Sequence, residues 1–277
     1  MDLRYYQAEA ADAVDAAVER SVHRMMAVLP TGTGKTVLFS EVIRRRRTID
    51  PRPAVILAHR EELLTQAAKT VRRLCPGITV GVEVGSDYAP RSSSVICASV
   101  PTVGKKDTDR LAWLEKIGAS VIVVDEAHHS AAAGYMESIK RFGGFSGDTV
   151  VLGVTATPKR LDKKALHGHD LAAYEEIVYQ YPIRRAIEDG FLCDIRGYIV
   201  QGDTNLDGVG KSRGDFNQVQ LAKAVNQPSR TKRAIEHWFE AAGDRKTIVF
   251  CADVQHALDV RDASKTRWFQ RSVCMGS

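Results

Sequence analysis

Five short aliphatic runs punctuate the first part of this chain: MMAVL at 25–29, AVILA at 54–58, SVICA at 94–98, VIVVD at 121–125 and VVLGV at 150–154. Consecutive β-branched and aliphatic residues leave no polar face, so each run needs burial on both sides. The runs alternate with longer helical or polar stretches, which is the pattern of a parallel sheet covered by helices on each face. A three-layer α/β fold is therefore expected. A length of 277 residues allows one large or two ordinary domains and ample core.

The unusual polar residues sit directly after those runs, as PTGTGKT, HRE, SVPT, DEAH and TATP. Open parallel sheets carry their ligand sites at the carboxyl ends of strands, so the five clusters are expected to converge on one edge.

Two clusters carry the chemistry. In LPTGTGKT, at 29–36, Thr31, Gly32, Thr33 and Gly34 form a loop between a strand and a helix. The glycines let successive N–H groups point inward as an anion site at the helix start. Lys35 is placed to reach the β- and γ-phosphates of a nucleotide, and the Thr36 hydroxyl to ligate Mg²⁺. Leu29 stands where the phosphate-loop pattern has its first glycine, so an ordinary Gly-rich turn is the competing reading. In VIVVDEAH, the strand delivers Asp125 and Glu126 to the sheet edge, one carboxylate for the metal and one to deprotonate an attacking water. A solvated strand end is the alternative.

The remaining features are less directive. Residues 5–22 repeat small apolar side chains at helical spacing. YPIRRAIEDGF at 181–191 and SRTKRAIEHWFEAA at 229–242 read as helices, with Trp238 and Phe239 on the buried face of the second. IRGYIV at 195–200 and TIVFC at 247–251 read as strands, and residues 201–217 as a flexible connection. KRLDKKALHGHD at 159–170 reads as a surface loop, and its His167 and His169 lack further metal ligands. The run RRRR at 44–47 suits the negative end of a helix dipole better than a nucleic-acid contact. Five cysteines without a CxxC pair argue against a disulfide framework or zinc ribbon, and are expected to be reduced and structural. No secretory signal or run of eighteen apolar residues is present, so the cytoplasm is the expected compartment. The net charge of +5 permits a polyanionic partner without requiring one.

The order LRYYQAEA, PTGTGKT, LAHREELL, ASVPTV, DEAH and TATP resembles the N-terminal motor domain of superfamily 2 helicases and translocases of the DEAH type. The resemblance covers about residues 1–160 and returns at TIVFCADVQHALDV, which looks like the start of the family's second motor domain. It implies a RecA-like P-loop NTPase fold, ATP and Mg²⁺ as cofactors, and DNA as partner, with RNA not separated from it. Catalytic roles fall on Glu126, Lys35 and Asp125, and metal ligation on Thr36 and Asp125. Nucleotide contacts fall on Arg4, Gln7, Thr31, Gly32, Thr33, Gly34, Lys35 and Thr36, with Gln7 reading the adenine edge and Arg4 and Tyr5 near the base. His128, Thr155 and Thr157 would couple hydrolysis to nucleic-acid contact. His59, Arg60, Ser99 and Thr102 would touch a phosphate backbone, and a packing role is the alternative for these four.

The expected organisation is a RecA-like ATP-binding domain at 1–165, a connecting region at 166–228 and the start of a second, incomplete α/β domain at 229–277. The family's second domain supplies arginines to the transferring phosphoryl group. Arg267 and Arg271 do not form such a motif, so the chain is expected to be incomplete as a motor: truncated, split, or a binding module. A chain supplying the second motor domain is the partner implied by a split. Residues after about 240 are expected to pack poorly. The functional reading is an ATP-dependent DNA helicase or translocase. Its alternatives are a nucleotide-switched nucleic-acid-binding module and a restriction-type duplex DNA translocase subunit.

Overall fold

The computed structural model describes residues 2–104, 111–158, 172–200, 206–212, 215–243 and 245–274. The segment with His167 and His169, and residues 201–205 and 213–214 of the connection, lie outside them. Two compact units are present, Met1–Asp194 and Ile195–Ser277.

Among the described residues, the first unit is built on seven strands: β1 Arg24–Val28, β2 Ala54–Ala58, β3 Val80–Glu83, β4 Val95–Ser99, β5 Val121–Asp125, β6 Val150–Thr155 and β7 Glu176–Gln180. They pair in the order β3-β4-β2-β5-β6-β1-β7, and every pairing is parallel. The expected parallel α/β fold is therefore the one observed, and all five aliphatic runs are strands. Helices α1 Tyr5–Glu19, α2 Lys35–Ile49, α3 Glu61–Leu74, α4 Val100–Val103, α5 Ala112–Ile117, α6 Ala133–Arg141 and α7 Ile183–Glu188 connect or flank them.

Strand side chains alternate between two separate cores. Met25, Ala27, Ile56, Cys97, Val123 and Leu152 meet Phe39, Leu64 and Val14 from α1, α2 and α3. Met26, Val28, Leu57, Ala98, Val124 and Val151 meet Val103, Leu114 and Ile139 from α4, α5 and α6. Burial on both faces is why the central strands read as unbroken aliphatic runs.

The edge strands β3 and β7 do not follow that rule, and the aliphatic runs do not reveal them. In β3 buried and half-buried residues alternate, and β7 is only half-buried along most of its length. Edge strands gain only one ladder and partial cover, so the exposed Gln180 is tolerated, while Glu83 is buried and accepts a hydrogen bond from Ala89 N at 2.8 Å.

The α1–α2 contact is pinned by charge. Glu41 is buried, and it accepts hydrogen bonds from Arg44 Nε at 2.8 Å, Arg44 Nη2 at 2.7 Å and Arg45 Nε at 2.8 Å. Arg45 Nη1 donates onward to Asp12 and Asp15 of α1, each at 2.7 Å. The arginine run thus serves packing, with Arg46 and Arg47 in the last helical turn. Hydrogen bonds from Arg44 hold the Glu41 carboxyl below the usual carboxylate range. A lowered acid contributes stability above its unfolded pKa and loses it as pH falls through the folded one. Glu41→Gln is expected to cost about 2 kcal/mol at neutral pH. The gap should narrow as pH falls below the ordinary carboxylate range, as measured by urea denaturation at pH 7 and pH 3. An equal gap at both would remove the charge from the account.

In the second unit, α8 Gln218–Val225, α9 Pro228–Ala242 and α10 Val254–Cys274 accompany a small antiparallel hairpin, β8 Lys211–Ser212 with β9 Asp215–Phe216. IRGYIV and TIVFC are not strands, which corrects the sequence expectation. Ile199 is 95% exposed and Phe250 is 93% exposed, with no ladder partner for either segment among the described residues. An apolar run becomes a strand only where a neighbour accepts its hydrogen bonds. On α9, Thr231 and Ile235 are the buried residues, while Trp238 and Phe239 are half-buried. Cys75 and Cys97 are buried, but Cys193 is exposed, so the cysteines are not uniformly structural. Among the described residues, no helix is long and apolar enough to cross a membrane.

Candidate active site

The register places the two chemical clusters at one level. Val28, the last residue of β1, pairs with Thr155 of β6, and Asp125, the last of β5, pairs with Val154 on the other side of β6. The phosphate-type loop and the DEAH turn therefore leave the same sheet edge two strand spacings apart, about 10 Å. The clusters after β2 and β4 leave that edge as well, since Ala58 pairs with Ser99.

The loop after β1 is shaped by glycine. Gly34 caps α2 with φ +80, and a Cβ there would lie 2.6 Å from Gln7 Nε2. No side chain caps the first turn of α2, so its N-terminal amides face the loop. Thr31 and Gly32 are exposed, while Lys35 and Thr36 are half-buried at the helix start. Thr33 is turned inward: its hydroxyl donates to Pro30 O at 2.6 Å, and its carbonyl accepts from Tyr6 Oη at 2.7 Å and Gln7 Nε2 at 2.9 Å.

Those last two bonds hold the loop to α1. Gln7 is buried, with Oε1 accepting from Arg4 N at 3.0 Å. Tyr6 stacks on Tyr181 at 4.2 Å between centroids, and the Arg4 guanidinium lies 4.7 Å over the Phe191 ring. Tyr181 donates to Asp189 at 2.6 Å. Tyr6, Tyr181 and Phe191 thus support the loop from behind, which motif reading overlooks because nothing in LRYYQ or YPIRRAIEDGF signals a shared contact.

The DEAH turn is backbone-strained. Glu126 has φ 50 and ψ 52, a left-handed conformation that non-glycine residues adopt at a cost of roughly 1–3 kcal/mol. Its N–H donates to Asp125 Oδ1 at 2.9 Å, and the chain then enters a 3₁₀ turn, Ala127–His129. Burial pushes the Asp125 carboxyl above the usual range, partly offset by the Glu126 amide bond and the Lys35 ammonium. Asp125 is thus a carboxylate that a cation would stabilise.

His128 Nδ1 lies 3.1 Å from Thr155 Oγ1 and 3.4 Å from Glu126 Oε2. Thr155 Oγ1 accepts from Thr157 N at 3.1 Å, so His128, Thr155 and Thr157 form one chain of contacts starting at Glu126. Behind it, the Ser130 and Tyr174 hydroxyls meet at 2.6 Å in full burial. Tyr174 packs over Gly153, where a Cβ would come within 2.4 Å of its ring. Neither residue carries a motif signal. His129 is exposed and stands 6.4 Å from the Tyr135 ring between centroids.

Of the four backbone-contact candidates, His59 and Arg60 are exposed, Thr102 is half-buried and Ser99 is buried. Thr102 Oγ1 accepts from Gly85 N at 3.1 Å.

With this geometry in place, known proteins are informative. The family model described as "Type III restriction enzyme, res subunit" matches residues 1–160. The chain belongs to this family. Its first unit is a superfamily 2 helicase motor domain by that match, by its relatives and by its fold. "Putative ATP-dependent helicase IRC3" of Saccharomyces cerevisiae is 31% identical over 275 residues, 95% of this chain and 39% of that protein. "Putative mitochondrial ATP-dependent helicase irc3" of Schizosaccharomyces pombe is 31% identical over 268 residues, 95% of this chain and 43% of that protein. The chain thus spans about two fifths of the length of these curated relatives. A solved fragment of "a putative HsdR subunit of a type I restriction enzyme" from Vibrio vulnificus YJ016 aligns over 98% of this chain and 46% of its own. That alignment has a TM-score of 0.66 at 23% identity, a likeness of fold.

Proposed function

We propose that this chain binds ATP with Mg²⁺ at the β1–β5 edge and hydrolyses it, coupled to binding of DNA. The observation that carries the reading is the register. It sets Lys35 and the α2 amides against Asp125 and Glu126 across a single strand, a gap that suits a triphosphate.

The residues fit the nucleotide and its metal. Gly34 holds φ +80 at the start of α2, a conformation that glycine takes without strain and that leaves the helix-start amides facing the loop. The half-buried Asp125 gains from a cation, and Thr36 offers a hydroxyl at the helix start. When bound, Mg²⁺ supplies neutralisation of the charge developing on the phosphates. Lys35 and the α2 N-terminus orient the γ-phosphate, and Glu126 takes the proton of the attacking water. His128 senses that event through its contact with Glu126 and passes it to Thr155 and Thr157. Gln7 and Arg4, which brace the loop here, are the residues proposed to meet the adenine. His59, Arg60, Ser99 and Thr102 take the phosphate backbone.

The same reading keeps residues 1–165 as the ATP-binding domain, 166–228 as connection and 229–277 as the start of a second domain. The cytoplasm is the proposed compartment, beside the mitochondrial name of one relative. The family description, a restriction-enzyme subunit, is compatible with one second reading, a restriction-type duplex DNA translocase subunit.

ATP turnover by the purified chain, with and without single-stranded or duplex DNA, tests the proposal. Turnover stimulated by DNA is the expected result, and the stimulating form separates the two readings. Failure to bind nucleotide at all would sink both.

A further inference from the structure

One hydroxyl joins a residue proposed for the base to the loop proposed for the phosphates. Tyr6 Oη donates to Thr33 O at 2.7 Å and accepts from Arg4 Nη1 at 3.0 Å. A phenolic hydroxyl has a single proton. With the guanidinium donating into a lone pair, that proton is left to point at Thr33, so Arg4 sets the direction of the Tyr6 bond. The ring itself is fixed: it is fully buried, stacked on Tyr181 at 4.2 Å and edge-on to Phe191 at 5.1 Å between centroids.

The bond matters for what lies on the other side of the Thr33 carbonyl. A trans peptide is planar, and its C=O and N–H point in opposite directions. Tyr6 and Gln7 both donate to the Thr33 oxygen from α1, so the N–H of Gly34, in the same peptide, is turned away from α1. Gly34 is the residue from which α2 starts. An amide aimed outward at a helix start is a donor for a phosphate oxygen.

We propose that Tyr6 is a positioning residue for the phosphates: oriented by Arg4, it holds the Thr33–Gly34 peptide with its N–H toward the triphosphate. Arg4 then acts on phosphate binding even when no base is present. This rests on the proposed nucleotide site and deepens it. Reading a base requires only that Arg4 touch it, whereas the bond to Tyr6 makes Arg4 part of the phosphate grip.

The test is a double-mutant cycle on the whole chain, read by titration calorimetry with Mg²⁺ and inorganic tripolyphosphate, which has phosphates and no base, and with ATP beside it. Tyr6→Phe removes the hydroxyl and keeps the ring stack. It strands no buried polar group, because Arg4 is exposed and Thr33 O keeps its bond from Gln7. This variant is expected to bind tripolyphosphate about fivefold more weakly, and Arg4→Met about threefold more weakly. Arg4→Met added to Tyr6→Phe should cost nothing further, since the link is already broken. Additive losses would overturn the proposal, because two merely structural residues acting separately give that result. An Arg4→Met chain that loses ATP affinity but keeps tripolyphosphate would also overturn it, leaving Arg4 to the base alone. Unchanged tripolyphosphate affinity in Tyr6→Phe would remove Tyr6 from the site. If the unsubstituted chain binds neither ligand, the nucleotide site itself falls, and the role of Tyr6 with it.

Discussion

Glu126→Gln is expected to leave ATP bound and to slow its turnover by about a thousandfold. The amide keeps the size and the left-handed backbone position of the glutamate but cannot accept the proton of the attacking water. Asp125, Thr36 and Lys35 are untouched, so affinity for ATP should stay within about twofold. The experiment is a pair of measurements on one preparation, nucleotide affinity by titration calorimetry and phosphate release over time. Retained turnover would remove Glu126 from the chemistry. Weakened binding beside it would point to a role for Glu126 in holding the turn, through His128 at 3.4 Å, rather than in proton transfer.

The second large effect is expected from Lys35→Ala, and it separates binding from stability. Loss of the charge-assisted contact to phosphate should weaken ATP binding about a hundredfold. The folded protein without nucleotide should be no less stable. Lys35 opens α2, where a cation meets the positive end of the helix dipole, and alanine is the better helix former. A thermal melt without nucleotide should therefore match or exceed that of the unsubstituted chain, while the stabilisation given by added ATP disappears. A fall in the nucleotide-free melting temperature of several degrees would mean that Lys35 is structural, tied to Asp125 as an ion pair. That distinction matters because the Lys35 charge already favours ionised Asp125 without ligand.

Much of this site was legible because its parts are local. A strand, a glycine turn and a helix start are consecutive in LPTGTGKT, and their chemistry needs no distant residue. The same holds for VIVVDEAH, up to Asp125. The lost strands β3 and β7 show the limit: an edge strand buries little, so its sequence records no burial. TIVFC shows the opposite error, since an apolar run predicts a strand only when a partner strand is there to meet it.

Sequence alone determined the layered α/β class and the order of the five central strands along the chain, and it marked the residues proposed for the chemistry. These follow from short-range patterns of burial and from turn chemistry. Tertiary structure alone decided which residues meet. It set Asp125 level with Val154 and Val28 level with Thr155, turned Thr33 inward onto Tyr6 and Gln7, and bent Glu126 into a left-handed turn. It also fastened Gly85 to Thr102, 17 residues apart in the chain. Register and long-range hydrogen bonds depend on pairs far apart in the chain, and a single sequence carries no record of which pairs those are.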